Sequence, residues 1–168
     1  MSLAEDLIQQ AKDLCALDPR RPKQANLRRA VSAAYYALFH AIISAAVECM
    51  MPARSDLRNS LARQFQHKVM KATAERAAHA ERAKTKQRQT DQVTPAGNDD
   101  ILRVATAFVD LQEARHRADY APDEYLTKLQ ATKWIDDSAL AMQALSSIRS
   151  TPPGERLMWE MLLGKLDR

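Results

Sequence analysis

Apolar residues recur at three- and four-residue intervals along most of the chain, the period of helices packed on one side. Leu7, Ile8, Ala11, Leu14 and Cys15 mark a first amphipathic helix from about Ser2 to Leu17. Asp18-Pro19-Arg20-Arg21-Pro22 ends it, because the residue before each proline is pushed out of the helical region. A second helix runs from about Lys23 to Cys49 and is apolar nearly all round in its middle, as suits a central element. After Met51-Pro52 comes a third helix, from about Ser55 to Lys84, with Leu57, Leu61, Phe65, Val69 and Ala72 on one side. Its polar continuation loses the period, which predicts a frayed end and then a mobile loop. Asn98, Asp99 and Asp100 next supply capping groups and favourable charge for a fourth helix. Its stripe of Ile101, Val104, Phe108 and Leu111 continues to Arg115. Beyond Tyr120-Ala121-Pro122, Asp123 is expected to cap a fifth helix that buries Ala131, Trp134, Ile135, Met142, Leu145 and Ile148. Thr151-Pro152 opens a short sixth helix with Leu157, Met158, Met161 and Leu162.

The expected fold is all-α, an antiparallel up-and-down bundle of five to six helices. Residues 1–150 would form the bundle, with a basic helix and polar loop over 54–98, and residues 151–168 an appended C-terminal helix. Composition agrees with that class. Only 3 glycines occur, Gly97, Gly154 and Gly164, too few for Walker or Rossmann phosphate loops. Cys15 and Cys49 lie too far apart for CxxC chemistry, so neither a disulfide framework nor a metal site is expected, and no cofactor. The acidic, amphipathic start, MSLAEDLIQQ, does not read as a signal peptide. The uncharged run Ala30 to Val47 approaches the length of a membrane span. Its alanines, with Ser32, Tyr35, Tyr36, His40 and Ser44 among them, suit a buried helix better, which predicts a cytoplasmic protein without membrane contact.

The net charge of +4 is unevenly placed. Residues 54–88 hold ten Lys or Arg against three acids, whereas residues 89–168 hold nine against thirteen. Such a stripe is an electrostatic footprint for phosphate, most often nucleic acid, although a solvated helix face has the same composition. Arg63, His67, Lys68 and Lys71 are its candidate contacts, and Arg63 and His67, four apart, could meet one phosphate. Phe65 is the only ring there and belongs to the apolar stripe, so stacking on bases has no support.

Two segments carry a resemblance. The run from Arg29 to Ala41, RAVSAAYYALFHA, and the run from Leu111 to Tyr120, LQEARHRADY, together resemble the HEPN superfamily (higher eukaryotes and prokaryotes nucleotide-binding domains), small prokaryotic branch. The match spans roughly residues 5–148, with 46 residues from Pro52 to Gly97 longer and more basic than that branch leads one to expect. The resemblance implies a cytoplasmic homodimer, often partnered by a small nucleotidyltransferase in a toxin–antitoxin or defence module. Its ribonuclease members use an Arg, four to six residues, then a His near the end of the fourth helix. There the Arg would stabilise the phosphorane and the His move a proton during attack by a 2′-hydroxyl. Histidines stand at 40, 67, 79 and 116 of this chain, and no arginine lies at the required distance before any of them. Asp119 stands near where that branch places its histidine.

The residues themselves allow two readings. Tyr36 and His40 share a helix face, and Arg115 and Asp119, also four apart, can meet. An Arg115–Asp119 pair that also holds Tyr36 or Tyr120 would lock the fourth helix to the second. Alternatively Arg115, His116 and Asp119 are catalytic candidates in a nonstandard, metal-independent ribonuclease. The absent spacing favours a binding module for RNA, a nucleotide or a nucleotidyltransferase, with a structural interaction module as the remaining alternative.

Overall fold

The computed structural model describes residues 2–90 and 99–166. Among them are seven helices and no strand: α1 (Leu3–Ala16), α2 (Gln24–Met50), α3 (Ser55–Ala62), α4 (His67–Thr90), α5 (Asp99–Tyr120), α6 (Lys128–Ile148) and α7 (Pro152–Leu163). The protein is therefore all-α. Local chemistry sets the starts of the first and last helices. Ser2 and Glu5 form a reciprocal capping box at the start of α1, with Ser2 N–H donating to the Glu5 carboxylate at 2.7 Å. Thr151 caps α7 by accepting from the Gly154 N–H at 3.2 Å, and Pro152 follows as the first helical residue.

Three expectations are corrected. The third helix is two helices, α3 and α4. At the end of α3, Gln64 N–H bonds to the Leu61 carbonyl and Phe65 N–H to that of Ala62. These three-residue steps tighten the last turn and stop the regular ladder. Phe65 turns into the core, and the helical phase restarts, so α4 buries Met70, Thr73, Ala74, Ala78 and Glu81 in place of Val69 and Ala72. Second, the polar stretch after Lys84 stays helical to Thr90. There Lys84 pairs with Glu81 at 2.6 Å and the Thr85 hydroxyl donates to the Glu81 carbonyl at 3.0 Å. The loop expected next, with Asn98, lies outside the described residues. Third, α6 begins at Lys128 and not beside Asp123. Thr127 caps it, accepting from Gln130 N–H while its own N–H donates to the Gln130 side chain at 2.8 Å.

The chain divides into two compact units, 1–41 with 107–142, and 42–106 with 143–168. In the first unit the alanine-rich start of α2 buries Leu27, Val31, Tyr35 and Leu38, and α5 buries Phe108 and Leu111. Fully buried Ser138 of α6 donates to the Ala34 carbonyl at 2.8 Å. In the second unit α7 packs on α4 and buries Leu157, Met158 and Met161. The Thr73 hydroxyl of α4 donates to the Glu160 carbonyl of α7 at 2.9 Å. By length and composition α2 would suffice to cross a membrane, and 78% of that apolar window is buried by the protein itself.

Candidate functional site

A polar strip interrupts the apolar surface of α2 every fourth residue: Gln24, Arg28, Ser32, Tyr36 and His40. Residues at this spacing stack along one side of a helix, so the polar groups of Gln24, Arg28, Ser32 and Tyr36 reach a common neighbour. That neighbour is the end of α5 with the turn after it. Gln24 clamps Leu126 through both of its backbone groups, at 2.8 and 2.9 Å. The Arg28 guanidinium donates to the carbonyls of Ala118 (2.8 Å), Ala121 (3.0 Å) and Pro122 (3.1 Å), and to that of Glu124. The Ser32 hydroxyl donates to Asp119 Oδ1 at 2.8 Å. Arg115 Nη2 donates to the Tyr36 hydroxyl at 3.2 Å. As the strip climbs α2, its partners descend α5, so the two helices run antiparallel here.

Arg115 and Asp119 form the centre of this ladder. Arg115 Nε lies 2.7 Å from Asp119 Oδ2, with side chains 26% and 20% exposed. The Nε–H points off the line to the carboxylate, which makes the contact an ion pair and not a directed hydrogen bond. The guanidinium carbon also sits 5.7 Å from the ring centres of both Tyr36 and Tyr120. Burial works against the charge, yet Tyr36, Asp119 and Tyr120 outweigh it and hold the Arg115 pKa above its ordinary value. Arg115 lies here because it continues the buried stripe one turn past Leu111.

The aromatic residues divide between core and rim. Tyr35 is 1% exposed, its ring 5.8 Å from that of Phe108, and burial, with Tyr36 adding to it, raises its pKa. Phe39 is core as well. Half-buried His40 lies edge-on to Phe39, ring centres 5.3 Å apart, and burial lowers its pKa. The ring of exposed His116 lies tilted against that of Tyr120, centres 5.0 Å apart, so Tyr120 neighbours both His116 and Arg115. The network thus unites Tyr36, Arg115, Asp119 and Tyr120, with His116 at its edge. Arg28 and Gln24 are the members that sequence reasoning missed; their four-residue spacing from Ser32 was the available signal.

The second unit holds the basic segment. Arg63 is the C-cap that follows α3 and His67 begins α4, so the two do not share one helix face. The break at Arg63–Gln66 separates them. Arg63, His67 and Lys68 are exposed, and Lys71 lies 3.8 Å from Glu75. Other cations of the run hold the fold: Arg58 donates to the Met51 and Pro52 carbonyls, Arg76 to Thr73, and Arg82 to Thr106. Among the described residues no group of three His, Cys, Asp or Glu could hold a metal ion.

No protein-family model, curated protein or solved structure matches this chain. The class defined by fold and site is an all-α protein whose α2 is tied to the end of α5 by a polar ladder.

Proposed function

We propose that the protein is a non-catalytic RNA-binding member of the HEPN type, an antiparallel up-and-down bundle that docks RNA on the cations of α3 and α4. The observation that carries this reading is the engagement of Arg115. Its charge faces Asp119 and one of its Nη groups donates to Tyr36, so the arginine that a HEPN ribonuclease would present to phosphate is held by the protein itself. Exposed Arg63 and Lys68, with Lys71 beside them, leave the phosphate chemistry to the second unit. The setting that goes with the resemblance is a cytoplasmic toxin–antitoxin or defence module with a nucleotidyltransferase partner.

Fluorescence anisotropy with a labelled single-stranded RNA tests the binding. Affinity should fall steeply with salt as counterions are released. Replacing Arg63, Lys68 and Lys71 with Gln should weaken binding to every sequence and flatten the salt slope by about one unit per lost contact. The same RNA should remain intact on a gel. Cleavage abolished by His116→Ala would replace this reading with the ribonuclease, and unchanged affinity in the triple variant would remove the basic segment from it.

A homodimer belongs to the same proposal. Leu157, Met158 and Met161 of α7 are buried within the second unit, so these apolar side chains are not free to form its interface. Sedimentation equilibrium at micromolar concentration should show twice the 18.9 kDa chain mass, and a single 18.9 kDa species would dismiss the dimer.

A further inference from the structure

In the second unit a groove of about 540 Å³ opens between α4 and α7. Its floor is apolar, formed by Ala77, Ala80, Ile101 and Leu157. Four cations surround it, Arg76, Lys84, Arg156 and Lys165, against two carboxylates, Glu81 and Glu160. Arg156 is already engaged, by Glu160 at 2.9 Å and the Leu166 carbonyl at 3.2 Å. Arg76 gives one N–H to Thr73 and keeps the others, and Lys165 is exposed.

Glu81 is the anomaly. It is only 5% exposed, Lys84 bonds its Oε1 at 2.6 Å, and its Oε2 is buried with no donor. Buried carboxylate oxygens are normally paired, and an orphan in the wall of a groove calls for an explanation. A donor brought by a ligand supplies one. Lys84 can keep its bond to Glu81 and turn its remaining N–H donors to an incoming anion, since its side chain is 54% exposed.

We propose that this groove binds a small amphiphilic anion: a flat apolar body with one N–H donor and one carboxylate or phosphate. The body lies on Ala80, Ile101 and Leu157, the N–H reaches Glu81, and the anion sits among Arg76, Lys84 and Lys165. The volume falls in the range of small-molecule sites, roughly 300–1,000 Å³. Its cations, Arg76, Lys84 and Lys165, are not the Arg63, Lys68 and Lys71 proposed above to contact RNA.

Anilinonaphthalene sulfonate, which has rings, an N–H and an anion, is the reporter. Its fluorescence should rise on saturable one-to-one binding to the intact chain. Indoleacetate and indoxyl phosphate should displace it, and whichever is stronger identifies the head group. Naphthaleneacetate, which lacks the N–H, should bind at least fivefold more weakly than indoleacetate, and Glu81→Leu should abolish that difference. Ala80→Trp fills the groove from an exposed α4 position and should lower affinity more than tenfold, and Lys165→Gln should lower it several-fold. The Gln triple variant at 63, 68 and 71 should bind the dye as wild type, which separates this site from RNA binding. Displacement by none of the three acids, or dye binding indifferent to both Ala80→Trp and Lys165→Gln, would overturn the proposal.

Discussion

Asp119 answers to two helices at once. It faces Arg115 one turn back on α5 and takes the Ser32 hydroxyl from α2. Asp119→Ala therefore leaves a partly buried cation and an orphaned hydroxyl together, and should cost about 2–4 kcal/mol in urea unfolding. Arg115→Met combined with Asp119→Leu leaves no uncompensated charge and should recover much of that loss. A double variant no more stable than Asp119→Ala would show that the pair contributes through something other than charge compensation. His40 supplies a pH-dependent term. Burial lowers its pKa in the folded state, so the unfolded chain binds the extra proton more readily. Stability from this group is complete above the ordinary His value of 6.5 and declines as pH falls below it. Replacing His40 with Phe should flatten the midpoint's pH dependence between about pH 7 and 5, the interval around the unfolded His pKa. An unchanged slope in that variant would assign the acid sensitivity elsewhere. The Arg115–Asp119 spacing was legible in the sequence, since four residues on a helix bring side chains together whatever surrounds them. Ser32 as the third partner was not, because a contact between helices depends on their register.

At the scale of elements, the joint between α6 and α7 depends on Gly154. A Cβ there would lie 2.0 Å from the Ile148 carbonyl oxygen and 2.7 Å from its carbon, both backbone atoms that cannot step aside. Alanine is usually the better helix former, by about 1 kcal/mol. Here Gly154→Ala should instead destabilise by roughly 3 kcal/mol, at the upper end for overpacking. A melting midpoint equal to or above wild type would refute the close approach. The turn from Ala121 to Thr127 has its own fastener in Arg28, whose planar fork serves carbonyls that no longer have helical donors. Arg28→Lys keeps the charge and loses the fork, so backbone amides of this turn should exchange with solvent markedly faster. Equal exchange rates would mean that the loop holds itself. Helix starts with strong caps, Ser2 and Thr151, were readable from the sequence. The α3–α4 break was not, because Arg63-Gln64-Phe65-Gln66 contains neither proline nor glycine and the apolar four-residue spacing runs straight through it. Burial of Phe65 decides it, a tertiary effect. Asp123 misled for the opposite reason: a good capping residue sat in a turn whose geometry α2 dictates, and Thr127 took the role.

For the whole molecule, the positive excess that the sequence places over residues 54–88 falls within one of the two units. Residues 42–106 and 143–168 contain fifteen Lys or Arg and ten acids, a net of +5, whereas the other unit contains ten and eleven, a net of −1. The positive field therefore originates in one unit. The polar ladder, for all its arginines, belongs to the other, where Arg28 and Arg115 are turned toward carbonyls and a carboxylate. Fold class was legible because helical periodicity accumulates over many residues. This division was not, since α2, α5 and α6 each contribute residues to both units and no linker marks the boundary. It yields a prediction that neither unit's details alone could give. Hydrogen exchange with and without bound RNA should show protection concentrated in α3 and the first turns of α4, and exchange at 107–142 should be unchanged. Phosphate attraction falls off within about 10 Å at ordinary salt, so a unit with no net positive charge gains little from contact. Protection centred instead on His116, Arg117 and Tyr120 would place RNA at the end of α5 and return the ladder to the role of a nucleic-acid site.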